Sequence, residues 1–394
     1  MYTADPTTDR PASADGAAVA LPLRSALRRA APAIAAYAAV RLLCTACVAL
    51  WSWHIGLRPR ARLGRSWDGQ WYSRIADYGY GTVIPSPFRH GVIYDDQAFF
   101  PLYPGLIRSV GTLLPVGTLN AALLVSWSAA AVAAWGIYMV GERLHGPRVG
   151  TLLAVLWGIL PHAVVESMAY TESLLTAFAA WSLYAALTGR WLWAGALAIA
   201  AGLTRPNGVA VAAAVGSAAL VALHRSRGAC GWRPWAGAAL APCGWLGYVL
   251  LVGWRNGRLD GYFRVQSRWG SEFDFGVNTA HFVRFLVTSR SWLVSYMSLA
   301  LVLVAVLLLV HSLADRQPVA LVVYSAVLLV ITVGGTNYFQ CKPRFLLPAF
   351  ALLVPVAVSL ARARPRTLAV VLGGLTLLSA FYGTYLLTVS RWAL

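Results

Sequence analysis

Residues 291–312 read SWLVSYMSLALVLVAVLLLVHS, a stretch without a single Asp, Glu, Lys or Arg. A helix needs about 20 consecutive apolar residues to cross the hydrocarbon core of a bilayer. Backbone groups in hydrocarbon must bond within their own segment, so this stretch is predicted to be a transmembrane helix. Similar runs recur near 31–53, 118–140, 149–165, 172–188, 192–204, 208–223, 234–254, 318–334, 345–361 and 367–389. The pattern predicts an all-α, polytopic transmembrane bundle of about eleven spans, without the alternation typical of a transmembrane β-barrel.

The composition excludes a soluble globular domain. The chain has 394 residues, of which 59% are hydrophobic and 12% are charged. A soluble protein carries about a quarter charged residues, so too few polar groups remain here to cover a water-facing surface. The net charge is +18, and Lys342 is the only lysine, so arginine supplies almost all of it. Basic loops that meet lipid headgroups explain this charge better than nucleic acid, because the sequence carries no nucleic-acid-binding motif.

The chain divides into an N-terminal tail and one membrane domain. Residues 1–23 are rich in Ala, Pro, Asp and Thr without periodicity, which predicts a disordered cytoplasmic tail. Residues 24–394 are predicted to form a single transmembrane domain with two long extracytoplasmic loops, 54–117 and 255–290. The prolines of AFFPLYPG make the end of the first loop a poor spanning helix, so we expect juxtamembrane helices at the interface there.

The distribution of charge predicts the orientation. Short arginine-containing loops alternate along the chain and share a side with the arginines before the first span, so the N-terminus is expected in the cytoplasm. Nine of the 14 acidic residues fall on the opposite side: Asp68, Asp77, Asp95, Asp96, Glu166, Glu172, Asp260, Glu272 and Asp274. Several of them abut or enter apolar spans, where ions are costly. This favours a polar extracytoplasmic site over charges that only solvate large loops.

The stretch SWDGQWY at 66–72 surrounds one carboxylate, Asp68, with indole, amide and phenol groups. Aromatic faces suit sugar rings, and an amide both donates and accepts hydrogen bonds with hydroxyls. A carboxylate in such a place can accept a proton from an attacking hydroxyl, which makes Asp68 a candidate catalytic base. An interfacial aromatic belt with an N-capping Asp explains the pattern equally well. The substrate contacts predicted in this stretch are Trp67, Gln70, Trp71 and Tyr72.

Acidic residues elsewhere have two interpretations each. Asp95 and Asp96 precede the run FFPLYP and could bind an acceptor or a divalent metal, or pair with arginine. They could equally cap the helix that follows, and the residues alone favour the cap. Glu172 follows Thr171 at a helix junction, where a carboxylate in the first turn suits the helix dipole. A role in the site is the alternative for Glu172.

Cationic side chains near span boundaries are candidate phosphate ligands. Arg205 and Asn207 lie in TRPNG, where Pro and Gly break the helix at the membrane boundary. An arginine there could bind a phosphate bidentately or extend to lipid headgroups. The remaining predicted contacts are Gln266 and Trp269, in the second long loop, and Lys342 and Arg344, which could hold a lipid phosphate or anchor a span.

Six stretches, taken in order, resemble the GPI mannosyltransferase II (PIG-V) family and its bacterial relatives. They are WDGQWY (67–72), AFFPLYP (98–104), YTES (170–173), TRPNG (204–208), VQSRW (265–269) and PRFLLP (343–348). The resemblance implies a GT-C type glycosyltransferase whose first outer loop bears an essential acid, here Asp68. Such enzymes use a polyprenyl-phosphate-linked sugar, for this family dolichyl-phosphate mannose, and invert the anomeric centre. The Ala- and Arg-rich composition looks bacterial, which leaves the lipid or glycan acceptor open.

The expected function is therefore a mannosyltransferase of a bacterial plasma membrane. Asp68 would accept the acceptor proton, and Arg205, with Lys342 or Arg344, would stabilise the departing phosphate. The sequence has no Walker A or Rossmann glycine motif, so a soluble nucleotide sugar is not the expected donor. A lipid or sugar transporter or flippase is the main alternative, and the lack of a convincing internal repeat counts against it. A non-catalytic subunit of an envelope-assembly complex is a further alternative.

Overall fold

The computed structural model describes residues 23–86, 92–227, 229, 231–336 and 338–390. These residues are mainly helical with one two-stranded ribbon, which confirms the predicted all-α class. The tail predicted for residues 1–23 lies outside the described residues apart from Leu23. In chain order the described α-helices are α1 (Leu23–His54), α2 (Pro59–Arg65), α3 (Asp68–Tyr78), α4 (Leu102–Leu113), α5 (Thr118–His145), α6 (Pro147–Gly158), α7 (Glu172–Leu187), α8 (Trp191–Gly202), α9 (Val209–Arg225), α10 (Arg233–Leu240), α11 (Cys243–Arg255), α12 (Gly261–Arg268), α13 (Val277–Thr288), α14 (Leu293–Ala314), α15 (Val319–Gly334), α16 (Lys342–Leu346), α17 (Val354–Ala361) and α18 (Pro365–Thr388).

Several helices are suited to cross a membrane, which makes the chain a multi-pass membrane protein. Within the described ranges, six are long and apolar enough: Ser25–His54, Thr118–His145, Pro206–Arg225, Arg233–Arg255, Leu293–Ala314 and Pro365–Thr388. Phe339–Leu346 and Phe350–Ala361, bent by 75° at their junction, would together make a seventh. Trp191–Gly202 and Val319–Gly334 are apolar but shorter, so the total of about eleven spans stays a prediction.

Helices α5, α6 and α7 pack against each other through small residues. A Cβ atom at Gly141 of α5 would lie 2.7 Å from the Cα atom of Gly150 in α6. A Cβ atom at Gly136 would lie 2.9 Å from that of Ala180 in α7. Side chains at these positions would hold the helices apart, and their absence lets dispersion contacts act along the full helix length. The three helices thus form a close-packed support for the connection between α6 and α7.

The connection between α6 and α7 is buried and contains a 3₁₀ helix, Ala163–Ser167. Arg41 of α1 donates a hydrogen bond to the hydroxyl of Ser167 at 2.7 Å. The same guanidinium lies 3.7 Å from the carboxylate of Glu166. An unpaired ion in this apolar surrounding would be costly, so the pair ties α1 to the connection. This contact fixes the turn from which α7 begins with Glu172.

The segment 54–117 contains α2, α3 and α4 and the ribbon. Strand β1 (Val83–Pro85) pairs antiparallel with β2 (Ile93–Asp95), with Val83 opposite Asp95. Helix α4 follows Pro101 and is not among the helices suited to span a membrane. The second long segment, 255–290, contains α12 and α13. The contacts of α12 with β2 and with the turn after it bring the two long segments together.

Candidate functional site

A strained turn connects α2 to α3 and places Asp68. Trp67 has φ 45° and ψ −111°, a backbone conformation that a non-glycine residue rarely adopts. Asp68 is the first residue of α3, and its side chain does not cap the helix. The next residue, Gly69, is packed tightly against α2, because a Cβ atom there would lie 2.7 Å from the carbonyl oxygen of Gly64. Strain of this kind persists only where the surroundings enforce it.

Four charged side chains from distant parts of the sequence form what we call the charge network: Asp68, Arg344, Glu172 and Arg205. Arg344 Nη1 donates to Asp68 Oδ2 at 2.9 Å. Arg344 Nε lies 3.3 Å from Glu172 Oε1, and Arg205 Nη1 lies 2.5 Å from the same oxygen. Two carboxylates thus face two guanidiniums, and the formal charges cancel. The structure therefore brings together four of the predicted site residues.

Aromatic rings enclose the cationic members of the network. The guanidinium carbon of Arg344 lies 5.1 Å from the ring centroid of Tyr170 and 4.9 Å from that of Phe345. Arg205 lies 5.5 Å from the Phe345 centroid. Rings at these distances attract the cations and exclude water, which strengthens the ion pairs beside them.

Aligned hydrogen bonding is confined to one link of the network. Among the described residues, neither carboxylate oxygen of Glu172 has a hydrogen bond of good geometry, although Oε1 is within ion-pair distance of both arginines. The Arg344–Asp68 contact does meet hydrogen-bond geometry. The contacts of Glu172 with the two arginines are therefore electrostatic, whereas the contact between Arg344 and Asp68 is a directional hydrogen bond.

Asp68 is the exposed end of the charge network. Its side chain is 29% exposed, compared with 7% for Arg344, 1% for Glu172 and 10% for Arg205. Arg344 binds one of its oxygens, Oδ2. Among the described residues no donor is bonded to the other oxygen, Oδ1. A ligand that reaches this network would therefore meet Asp68 first.

An aromatic cluster contains three of the predicted substrate contacts, Trp71, Tyr72 and Trp269. Trp71 stacks on Phe99 at 5.7 Å between centroids and meets Trp269 edge-on at 5.1 Å. Tyr72 packs edge-on against Phe99 and its hydroxyl lies 3.3 Å from that of Thr171. Burial raises the pKa of the Tyr72 hydroxyl above its usual value. These predicted substrate contacts join α3 to the second long segment.

Asp95 and Asp96 bind backbone groups. Asp95 accepts the backbone N–H of Gln97 at 2.8 Å and caps the 3₁₀ turn that follows. Asp96 accepts the N–H groups of Gly81 and Thr82 at 3.0 and 2.8 Å. Burial raises the pKa of Asp96, although those N–H groups act in the opposite direction. Within the described residues there is no cluster of three or more His, Cys, Asp or Glu side chains that could hold a metal ion.

The remaining predicted residues lie apart from Asp68 or make other contacts. Gln70 is exposed and lines a separate small cleft with Arg74. It lies on another face of α3 because residues two apart on a helix point in different directions. Gln266 donates to the carbonyl of Ala98 at 3.0 Å. Lys342 donates to the carbonyls of Thr332 and Gly335 near the end of α15, at 2.6 and 2.9 Å. Asn207 is buried, and its amide nitrogen has no hydrogen-bond partner among the described residues.

An open cleft of about 740 Å³, which we call the basic cleft, lies beside the turn and was not predicted from the sequence. One wall is formed by the α2 region and the other by the end of α18. Trp67, which directly precedes Asp68, is one of the lining residues. The lining residues are Arg58, Ala61, Arg62, Arg65, Ser66, Trp67, Thr388, Val389 and Ser390. The signal that could have identified it is the spacing of the three arginines, which repeats at helical intervals without an acid among them.

Comparisons with known proteins identify no family model and no curated protein that matches this chain. Among solved structures it is similar to ArnT from Cupriavidus metallidurans bound to undecaprenyl phosphate, with 19% identity and a TM-score of 0.49 over 79% of this chain. It is also similar to the oligosaccharyltransferase AglB from Archaeoglobus fulgidus in complex with an inhibitory peptide and a dolichol-phosphate, with 13% identity and a TM-score of 0.43 over 89% of this chain. The chain spans 57% and 55% of the length of those two proteins.

Proposed function

We propose that the protein is a GT-C type membrane glycosyltransferase. It would move a sugar from a polyprenyl-phosphate carrier to an extracytoplasmic lipid or glycan acceptor, with inversion at the anomeric carbon. The observation that supports this function best is the state of Asp68. Arg344 holds one of its oxygens, the other has no bonded donor among the described residues, and the side chain is 29% exposed at the end of a network that is otherwise buried. A general base needs a carboxylate that is both fixed in direction and accessible to the reacting hydroxyl.

The proposed step has one base and one leaving group. The acceptor oxygen attacks the anomeric carbon while Asp68 Oδ1 takes its proton. The bond from that carbon to the phosphate oxygen breaks, and its electron pair leaves with the polyprenyl phosphate. This leaving group is already good, so the step needs no acid to protonate it. The attack on the face opposite the leaving group gives inversion.

In this proposal the inner members of the charge network are positioning residues. Arg344 fixes Asp68, and Glu172 holds Arg344 from the other side. Arg205 balances the remaining charge on Glu172. Because both arginines already have carboxylate partners, neither carries a free positive charge for a departing phosphate. Lys342 has its ammonium group bound to two backbone carbonyls.

We further propose that the sugar is mannose and that the membrane is a bacterial plasma membrane. The six stretches similar to the GPI mannosyltransferase II family support mannose as the sugar and a polyprenyl-phosphate mannose as the donor. The charge pattern supports a bacterial plasma membrane protein with its N-terminus in the cytoplasm and its site outside. Arg29 near the start of α1 pairs with Glu142 near the end of α5, at 3.2 Å. In the proposed orientation this pair lies on the cytoplasmic side.

A transfer assay with a labelled donor tests the function. The purified protein would be incubated with radiolabelled polyprenyl-phosphate mannose and fractionated membrane lipids or glycans as acceptors. We expect label to move to a new product in one fraction, and slow hydrolysis of the donor when acceptor is absent. GDP-mannose offered as the donor should give no product.

The same labelled donor separates an enzyme from a transporter. If sealed vesicles containing the protein move the intact donor across the bilayer and never cleave it, the chain is a transporter and the proposal is wrong. If the donor is neither cleaved nor moved with any acceptor fraction, the proposed activity is also wrong.

A further inference from the structure

The basic cleft carries positive charge that no acid balances within the described part of the chain. Arg58, Arg62 and Arg65 lie at intervals of four and three residues, which places them along one face of the α2 region. None of the three forms an ion pair with a described carboxylate. Like charges at this spacing repel each other and destabilise a helix. An anion in the cleft would remove that repulsion.

The charge network offers no such positive charge. Arg344 faces Asp68 and Glu172, and Arg205 faces Glu172. An anion at those guanidiniums would have to displace a buried carboxylate, which would then be left without a partner. The arginines of the basic cleft, in contrast, have no carboxylate partner among the described residues.

Trp67 connects the cleft to the charge network. It lines the cleft and directly precedes Asp68 in the strained turn. Trp67 therefore joins the wall of the cleft to the residue that we propose as the base. The opposite wall is formed by Thr388, Val389 and Ser390 at the end of α18. A helix end contributes about half a negative charge there, which three guanidiniums outweigh.

We propose that the basic cleft binds the phosphate of the polyprenyl-phosphate carrier, so that the leaving group departs into it. The inference rests on the proposed transfer reaction and assigns a site to its donor. During the step the acceptor proton passes to Asp68, the bond between the anomeric carbon and the phosphate breaks, and the phosphate gains one negative charge. Guanidiniums bind phosphate through paired N–H donors and stabilise the charge as it grows. The cleft volume, about 740 Å³, falls within the range of ligand sites, about 300–1,000 Å³.

Binding of the carrier without its sugar tests this inference independently of transfer. Purified full-length protein in detergent would be titrated with a fluorescent short-chain polyprenyl phosphate. Removal of one guanidinium in Arg62→Gln or Arg58→Gln should raise the dissociation constant about tenfold, the equivalent of one charge-assisted hydrogen bond. Arg60→Gln is the matched control, because Arg60 lies on the same short helix, is exposed and does not line the cleft. Arg62→Lys keeps the charge but loses the paired N–H donors of the guanidinium, so its dissociation constant should lie between those of Arg62→Gln and Arg60→Gln.

Competitors identify the source of the phosphate. Unlabelled polyprenyl phosphate should displace the probe, whereas inorganic phosphate and phosphatidylglycerol vesicles should displace it at least about tenfold less well. Equal competition by phosphatidylglycerol would mean that the arginines only meet bulk anionic lipid, and equal competition by inorganic phosphate would mean a general anion site. Either result, or unchanged binding in both glutamine variants, overturns the inference. Arginine-dependent binding in a protein that never cleaves the donor would preserve the site and refute the proposed transfer.

Discussion

Arg344 Nη1 lies 2.9 Å from Asp68 Oδ2, although 276 residues separate the two in sequence. The same guanidinium contacts Glu172 through Nε at 3.3 Å. One side chain thus joins the start of α3 to the start of α7 and leaves Asp68 Oδ1 without a bonded donor in the described structure. We infer that Arg344 fixes the orientation of the Asp68 carboxylate, the proposed base.

Arg344→Lys should impair turnover more than donor binding. Lysine keeps the charge but cannot direct separate nitrogens at Asp68 and Glu172, so Asp68 would lose its fixed direction. Misplacement of a reacting group by about 1 Å can cost about 100-fold in rate. We expect kcat to fall by about that factor with little change in KM, measured by steady-state transfer from polyprenyl-phosphate mannose. The control is Arg284→Lys on the exposed side of α13, which should behave as wild type. A purely KM effect in Arg344→Lys would argue against this role.

Glu172→Gln should destabilise the protein strongly. The change leaves Arg205 without a carboxylate partner and Arg344 with Asp68 alone, in a buried setting. Breaking a buried ion pair from one side costs about 3–5 kcal/mol in the free energy of unfolding. Thermal unfolding in detergent should show a large drop in midpoint, partly reversed in the double variant Glu172→Gln, Arg205→Gln. Exposed Glu272→Gln serves as the reference. A midpoint equal to that of the reference would show that the network does not stabilise the fold.

Two glycine substitutions test the close packing of the central helices. A Cβ atom at Gly141 would meet Gly150 at 2.7 Å, whereas one at Gly216 would meet nothing within 4 Å. Gly141→Ala should therefore destabilise the protein by about 1–3 kcal/mol through overpacking. Gly216→Ala should be neutral or stabilising by about 0.5–1 kcal/mol because alanine favours the helix. Equal effects on thermal unfolding in the two variants would contradict the packing described for α5 and α6.

Replacing Trp67 with glycine should weaken donor binding without lowering the stability of the protein. Trp67→Gly would relieve a backbone strain of about 1–3 kcal/mol and remove an aromatic wall of the basic cleft. We expect an unfolding midpoint at or above that of wild type together with a raised KM for the donor. Trp67→Ala, which loses the ring but keeps the strained backbone, should show the raised KM without the gain in stability. A lower midpoint for the glycine than for the alanine variant would mean that the strain is not released.

The membrane bundle could be predicted from the sequence because an apolar run long enough to span a bilayer must satisfy its backbone hydrogen bonds within itself, as a helix does. Helix bounds such as Thr118–His145 and Glu172–Leu187 lie close to the predicted spans for the same reason. The aromatic residues on both sides of Asp68 in the sequence made it a candidate catalytic base. Its partner could not be derived, because Arg344 is 276 residues away and no local pattern links the two.

Other parts of the site depend on tertiary contacts that local sequence does not encode. Trp71 and Gln70 looked alike as sugar contacts, yet the first is buried in an aromatic cluster and the second faces another cleft. The basic cleft exists only because the end of α18 lies opposite α2. The arginine spacing on α2 was visible in the sequence, but the opposite wall was not.

The most direct test of Asp68 as the base is the transfer rate of Asp68→Asn in a single-turnover assay with labelled polyprenyl-phosphate mannose and the acceptor identified for wild type. Asp77→Asn, the same change on the exposed side of the same helix, provides the comparison. We expect Asp68→Asn to fold and insert normally and still to bind polyprenyl phosphate. Its transfer should be at least about 100-fold slower, because the acceptor hydroxyl has lost its base. Transfer by Asp68→Asn at a rate near that of Asp77→Asn would show that Asp68 is not the base.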